Sequence, residues 1–304
     1  MNRRYLLKTF SLAGALAILP RLRAGEPFIR MEFPVLRLGN MAVTILRDSS
    51  GQTDASCLIG ATEPMLKRSL PSGKFDSVIQ AFLVSTPQKK ILIDTGLGLK
   101  LHDNLQKCGL RAGALDAVLI THMHGDHIGG LLRNGKAAFP RAQLFLPQEE
   151  HAYWSAKAGS TGESARAIAS AYGKRICLFK AEALGNLKAK EAPGESANLP
   201  AGVRAIAAHG HTPGHTMYLL ESKGERLLIW GDLMHAMEIQ LPYPEVAISY
   251  DVDPVEAVKT RKRVLASVAG SGIPVAGMHN ASLNFGRIIS TREKSYAIKS
   301  HPGA

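Results

Sequence analysis

The sequence predicts an α/β sandwich, with two β-sheets inside and helices outside. Three observations carry this expectation. Short apolar runs of strand length alternate with helical stretches. The order of strands followed by helices occurs twice, with no clean linker between the halves. Histidine and aspartate side chains recur where the apolar runs end, which is where active-site groups of layered α/β folds gather. A chain of 304 residues has length enough for two domains, but these patterns favour one domain over about residues 30–300.

The elements follow in order. Residues 43–46, 78–84 and 91–93 are expected strands of one early sheet. A polar stretch rich in Gly, Ser and Pro, residues 48–76, is expected to be a functional loop, because long structureless loops in compact domains are more often lids than accidents. Residues 116–120 form a short buried strand that runs straight into Thr121-His122, and helices are expected at about 148–157 and 163–175. A second polar loop, 182–202, marks the middle of the chain. Strands resume at 203–207, 217–220 and 226–230. Asp253-Pro254-Val255-Glu256 then opens a helix with a capping aspartate, a proline at the first helical position and a glutamate at the third. Val255, Val258, Leu265 and Val268 are the expected face of that helix against a sheet.

Composition narrows the functional classes. The chain is 45% hydrophobic, 20% charged and 6% aromatic, which excludes a disordered tail, a collagen-like fibre or a coiled coil. Three cysteines, Cys57, Cys108 and Cys177, are too few and too scattered for a disulfide framework or a paired-cysteine metal site. The net charge is +12, but the first 24 residues hold five basic residues and no acid, so the remaining 280 carry +7. The basic residues form no stripe interleaved with aromatics, so nucleic acid is not the expected partner.

Residues 1–24 read as an export signal. Arg3, Arg4 and Lys8 precede an apolar stretch from Phe10 to Leu19; Pro20 breaks it, and Ala24 offers a small residue for cleavage. The stretch is far short of the ~20 residues that span a bilayer, so no membrane span is expected in the mature form. The arginine pair followed by Leu6-Leu7-Lys8 resembles a twin-arginine signal, which predicts a periplasmic or secreted protein.

The chemistry is concentrated in histidines. Thr121-His122-Met123-His124-Gly125-Asp126-His127 places four metal-binding side chains within six residues at a strand end. Imidazole and carboxylate together suit zinc and neighbouring first-row cations. His211 in Gly210-His211-Thr212-Pro213-Gly214-His215, Asp232 after Trp230-Gly231, and His279 after Gly277-Met278 are further donors at later strand ends. Seven donors exceed the needs of one tetrahedral ion, so two metals are expected.

With these residues in place, the sequence resembles the metallo-β-lactamase-fold hydrolases, in their order and over about residues 33–290, and within them the branch of methyl parathion hydrolase and the quorum-quenching lactonases. The resemblance implies an αββα four-layer sandwich of two mixed β-sheets flanked by helices. It implies that His122, His124 and His211 hold one metal, that Asp126, His127 and His279 hold the other, and that Asp232 bridges them. No cysteine stands at the position where some zinc β-lactamases carry a ligand. Only 25 residues follow His279, too few for the added helical domain of glyoxalase II-like enzymes.

The activity implied is a dimetal hydrolase that uses a hydroxide bridging two divalent ions, zinc first and cobalt, manganese or iron otherwise, to cleave an uncharged ester-like bond. A lactone of the acyl-homoserine type is the first expectation and an organophosphate triester the second. Asp126 is a candidate proton relay as well as a ligand. His235 stands where the lactonases carry a tyrosine, so it is a candidate general acid and substrate-binding residue. Trp154, His235 and Met237 are the candidate substrate contacts, with Met234 and Tyr243 as weaker ones. Relatives in this branch are often dimers, so a homodimer is a further expectation. An iron-dependent dioxygenase of persulfides or other sulfur compounds, and a non-catalytic metal-binding protein, are the alternative classes. The complete donor set speaks against both.

Overall fold

The structure is a computed structural model that describes residues 33–185, 187, 198–291 and 295–301, so the expected signal at 1–24 lies outside the described residues. Strand β1 (Val35–Leu38) turns into β2 (Met41–Asp54). The chain then passes a two-residue β3 (Leu58–Ile59) and helix α1 (Glu63–Ser69), and returns as β4 (Lys74–Ser85) and β5 (Lys90–Ile93). Helix α2 (Leu101–Lys107) leads to β6 (Ala117–Leu119) and the one-turn helix α3 (Gly125–Ile128). The short strands β7 (Leu132–Arg133) and β8 (Lys136–Ala137) precede β9 (Gln143–Pro147). Helices α4 (Gln148–Ala156) and α5 (Ser160–Tyr172) and strand β10 (Ile176–Phe179) complete the first half. Its sheet has the order β1-β2-β4-β5-β6-β9-β10 and is mixed, antiparallel up to β5 and parallel beyond.

The second half contributes β11 (Val203–Ala207), β12 (Thr216–Ser222) and β13 (Glu225–Ile229). Helix α6 (Met237–Gln240), β14 (Ala247–Ile248) and helix α7 (Pro254–Val268) follow, and β15 (Pro274–Ala276), β16 (Gly286–Ser290) and β17 (Tyr296–Ser300) close the sheet β11-β12-β13-β15-β16-β17. Both sheets are mixed, because β13 and β15 run parallel within an otherwise antiparallel sheet.

Strand periodicity explains the layers. Continuous apolar runs split at every second residue between two faces. From β4, β5 and β6, the side chains of Phe82, Val84, Ile91, Ile93 and Leu119 point between the sheets and meet Tyr218, Leu220, Leu227 and Ile229 of the other half. The alternate residues Leu83, Leu92 and Val118 face outward onto Leu101 and Leu105 of α2 and Ile168 of α5. Met217, Leu219, Leu228 and Trp230 likewise face Val264, Leu265 and Val268 of α7. The result is the αββα sandwich that the pattern predicts, with the sheets in the middle.

Two local expectations need correction. The stretch 48–76 is not a free loop: β2 continues to Asp54 and pairs with β4 from Lys74, so the hairpin extends as an arm beyond the end of β5. A register shift between Arg47 and Ser49 sets off this arm, and the buried Asp48 there accepts hydrogen bonds from Leu99 N, Lys100 N and Leu101 N at the start of α2. The arm carries a small core of its own, with Phe75, Leu58 and Leu70 against Ile239, Val246 and Ile248. The second correction concerns α7. Asp253 caps it as expected, accepting from Glu256 N at 3.0 Å. Its buried face, however, is Ala257, Thr260, Arg261, Val264, Leu265 and Val268, whereas Val255 is 79% exposed and Val258 half-buried. Buried Arg261 binds the carbonyls of Leu233, Pro244 and Val246, which fixes the chain after Asp232.

Candidate metal centre

Strands β5, β6, β9, β11, β13 and β15 all deliver their following residues to one edge of the sandwich. His122, His124, Asp126 and His127 follow β6, His211 follows β11, Asp232 follows β13 and His279 follows β15. The arm of β2 and β4 stands over the same edge. All seven donors expected from the sequence are brought together there.

Three of them form a triangle. His122 Nε2, His124 Nδ1 and His211 Nε2 lie 3.0–3.1 Å apart. Ligand nitrogens on a tetrahedral zinc ion at 2.0–2.1 Å stand ~3.3 Å from each other, so the triangle has the dimensions of a metal site. The opposite nitrogens of two of these rings are anchored. Thr121 Oγ1 donates to Asp94 Oδ2 at 2.7 Å and lies 3.1 Å from His122 Nδ1, so the ring donates there and turns the lone pair of Nε2 inward. His211 Nδ1 donates to Asp251 Oδ1 at 2.8 Å.

The second group is richer in carboxylate. His127 Nε2 lies 3.7 Å from Asp126 Oδ1, and His279 Nε2 lies 3.5 Å from Asp126 Oδ2. Their opposite nitrogens donate to Asp94 Oδ2 and to the Val78 carbonyl, both at 2.7 Å. His127 Nε2 is buried and, among the described residues, has no well-aligned hydrogen bond, which leaves it aimed at the space between the carboxylates. Asp232 Oδ2 joins the groups, 3.3 Å from His211 Nε2, 3.2 Å from His127 Nε2 and 3.0 Å from His279 Nε2. Lone pairs converging on two points, with one carboxylate oxygen common to both, fit a pair of divalent ions.

The electrostatics differ between the groups. Burial, together with the neighbouring His127 and His211, pushes His122 well below its ordinary value, and burial beside His211 brings His124 down to about 3. Burial also disfavours charge on His211, but its hydrogen bonds to Asp232 and Asp251 raise it to about 9. At His127 burial is outweighed by Asp232, Asp126 and Asp94, and at His279 by Asp232 and Asp126, so both are raised. Burial would raise the Asp232 carboxyl, yet His127, His279, His122 and His235 hold it well below the usual range.

Of the supporting residues, His215 was legible in the sequence as a residue behind the ligands, whereas Asp94 was not. Asp94, buried and in the left-handed region at φ 56°, holds both Thr121 and His127. His215 donates from Nδ1 to the Ala208 carbonyl at 2.9 Å and accepts at Nε2 from Asp232 N at 3.1 Å, and burial keeps it neutral at about 3. Gly231 has φ 59°, and a Cβ there would stand 2.3 Å from His215 Nε2, so only glycine allows this approach.

The centre forms the floor of a cavity of about 410 Å³ lined by His235, by Thr53, Phe75, Ser77 and Ile79 of the arm, and by Tyr250. His235 is buried, with Nε2 3.1 Å from Asp232 Oδ2, Nδ1 without a partner, and its ring stacked 4.7 Å from His279. Two expected substrate contacts do not line the cavity. Trp154 is tied by its indole N–H to Glu150 Oε2 at 2.7 Å and lies edge-on to His124, and Met237 is buried in the core under α7. Met234 and Tyr243 also pack into cores. The residues missed, Phe75, Ser77 and Ile79, alternate along β4; their signal was a period of two that starts at the end of the turn-rich stretch and runs into the expected strand 78–84.

Residues 76–269 match the family described as the Metallo-beta-lactamase superfamily. Among solved structures, the hydrolase AbOPH in the beta lactamase superfamily superposes with a TM-score of 0.75 at 27% identity, over 88% of this chain and 97% of that one. AidC, a dizinc quorum-quenching lactonase seen with a homoserine product, gives a TM-score of 0.77 at 23% identity over the same shares, a likeness of fold. Curated relatives match over shorter stretches. Ribonuclease Z of Clostridioides difficile (strain 630) is 43% identical over 54 residues, 18% of this chain and 17% of that protein. An atrochrysone carboxyl ACP thioesterase of Aspergillus terreus is 40% identical over 63 residues, 20% of each chain. The matched stretch thus spans no more than about a fifth of these curated relatives.

Proposed function

The chain belongs to the metallo-beta-lactamase superfamily, and on that premise we propose that it is a dimetal hydrolase of uncharged ester-like bonds, first a lactone and second a phosphotriester. The observation that carries this reading is two donor groups sharing Asp232 Oδ2 at the floor of a cavity whose lining, among the described residues, has no lysine or arginine. A phosphodiester backbone is bound through cationic side chains, so this lining favours a neutral substrate over the nucleic acid named in the description of the ribonuclease relative. Phe75 and Ile79 offer an apolar wall, while Thr53, Ser77 and Tyr250 offer hydroxyls to orient a carbonyl or phosphoryl group.

His122, His124 and His211 would hold one ion and Asp126, His127 and His279 the other, with Asp232 common to both. Two divalent ions, zinc first, supply Lewis-acid polarisation of the substrate oxygen and a strong nucleophile from water at neutral pH. Asp126 is partly exposed to the cavity and would take the proton that the attacking water gives up. His235, brought down to about 4 mainly by burial, is neutral at pH 7 and holds a single ring proton. It would act as a neutral hydrogen-bond donor to the substrate oxygen, with Asp232 3.1 Å from its Nε2, while Asp126 would return the proton taken from water to the leaving oxygen.

The test assays a long-chain homoserine lactone, methyl parathion, an aryl ester and an anionic phosphodiester in parallel. Preference for a neutral substrate supports the reading, and preference for the diester contradicts it. Export through the twin-arginine route is part of the same proposal: replacing Arg3 and Arg4 by lysine should hold the protein in the cytoplasm. Periplasmic appearance of that variant would rule the route out.

A further inference from the structure

We propose that Glu150 is a positioning residue that sets the three-histidine half of the metal centre. This rests on the dimetal reading above and adds a residue outside the expected donor set. Glu150 sits in the first turn of α4 and is completely buried. Its two carboxylate oxygens accept three hydrogen bonds. Oε2 takes Met123 N at 2.9 Å and the Trp154 indole N–H at 2.7 Å, and Oε1 takes Gly214 N at 2.8 Å.

Each donor belongs to a different part of the same half-site. Met123 lies between His122 and His124, so its amide fixes the turn from which both rings leave. Gly214 lies three residues after His211 and just before His215, the ring that accepts from Asp232 N. Trp154 stands edge-on to His124 at 5.4 Å between ring centroids. One carboxylate therefore ties together the two loops that carry all three nitrogens of the triangle and the aromatic ring that backs the most exposed of them. Buried charge-assisted bonds of this length hold direction well.

The approach is close enough to dictate sequence. A Cβ on residue 214 would stand 2.5 Å from Glu150 N, 2.9 Å from Glu149 Cβ and 3.0 Å from Glu150 Cγ, so the second glycine of Gly210-His211-Thr212-Pro213-Gly214 makes room for the turn of α4 that carries the carboxylate. The carbonyl of Val78 and the Asp94 carboxylate that anchor His279 and His127 are not among the bonds made by Glu150. The effect of losing the carboxylate should accordingly fall first on the three-histidine ion.

The experiment compares Glu150→Gln, which keeps the shape but turns an N–H toward one of three donors, with Trp154→Phe, which keeps a ring and removes one donor. Metal per chain is measured during titration with a chelator, alongside the visible spectrum of the cobalt(II)-loaded protein and far-UV circular dichroism. Glu150→Gln is expected to weaken one ion 10–100-fold and leave the other at wild-type affinity. Trp154→Phe is expected to shift the same ion less. Equal retention of both ions in Glu150→Gln, or equal loss of both, overturns the proposal. If Glu150→Gln fails to fold, Trp154→Phe decides: a weakened single ion supports the proposal and unchanged binding of both overturns it. Wild-type protein that holds no metal would instead remove the dimetal reading itself, before any variant is compared.

Discussion

The two halves of the metal centre solve the same problem with different materials. In the three-histidine half, two of three rings are neutral at pH 7, and the framework around them is built from Thr121, Asp251 and Glu150. In the other half, Asp232 and Asp126 raise both His127 and His279, and Asp94 adds to His127. The positive charge that these carboxylates demand is supplied by ring protons when no cation is bound. The comparison teaches that one half presents mainly directed lone pairs to an ion and the other mainly carboxylate charge. Asp232, reaching both through a single oxygen, couples them.

The largest effect should come from removing that coupling. Asp232→Ala is expected to lose both ions and to bring hydrolysis to background, as read by metal analysis and by assay. Retention of two ions would break the comparison, because it would show that the halves are independent. Next in size, His211→Gln and His279→Gln should each leave about one ion per chain, from opposite halves. Cobalt spectra that are indistinguishable between the two variants would contradict the assignment.

Protons sharpen the difference. His211, held at about 9, carries a proton at pH 7 in the metal-free chain, His127 and His279 are raised as well, and a coordinating nitrogen must give its proton up. Metal loading at pH 7 should therefore release protons, and affinity should fall as the pH is lowered. Calorimetry in buffers of different ionisation enthalpy measures this; heats that do not depend on the buffer would refute it. His235→Phe should keep both ions and slow turnover ~10²–10³-fold, the usual contribution of a hydrogen-bond donor aimed at a developing oxyanion. Unchanged kcat would remove His235 from the mechanism. The smallest effect is expected at the rim, where Tyr250→Phe should raise KM and leave kcat alone.

Much of this was legible because metal ligation leaves dense marks. His122, His124, Asp126 and His127 crowd six residues, and His211, Asp232 and His279 each follow an apolar run that proved to end at the same edge. The sandwich was legible for a related reason, since strands such as Ile91–Leu92–Ile93 are apolar on both faces only when both faces are covered. The substrate wall was not. Phe75 sits in a stretch whose Gly51, Gly60, Pro71 and Gly73 suggest a loop, and only pairing with β2 makes it a strand, while Ile79 lies in the expected strand 78–84 and Ser77 just before it, with nothing to show which face meets a cavity. Trp154 and Met237 look like pocket residues because large apolar side chains near a motif resemble a wall. Whether such a residue faces a cavity or a core depends on packing that a single sequence does not encode. Asp94 and Glu150 were missed for the same reason, because their partners Thr121, His127, Met123 and Gly214 are distant in the chain.

The central claim is the paired metal centre, and counting metal tests it most directly. The chain without residues 1–24, purified without chelator, should contain about two divalent ions, and stepwise chelation should remove them in two separable phases with activity lost in the first. A single iron per chain without hydrolysis of any of the four substrates, or no bound metal at all, would contradict the account.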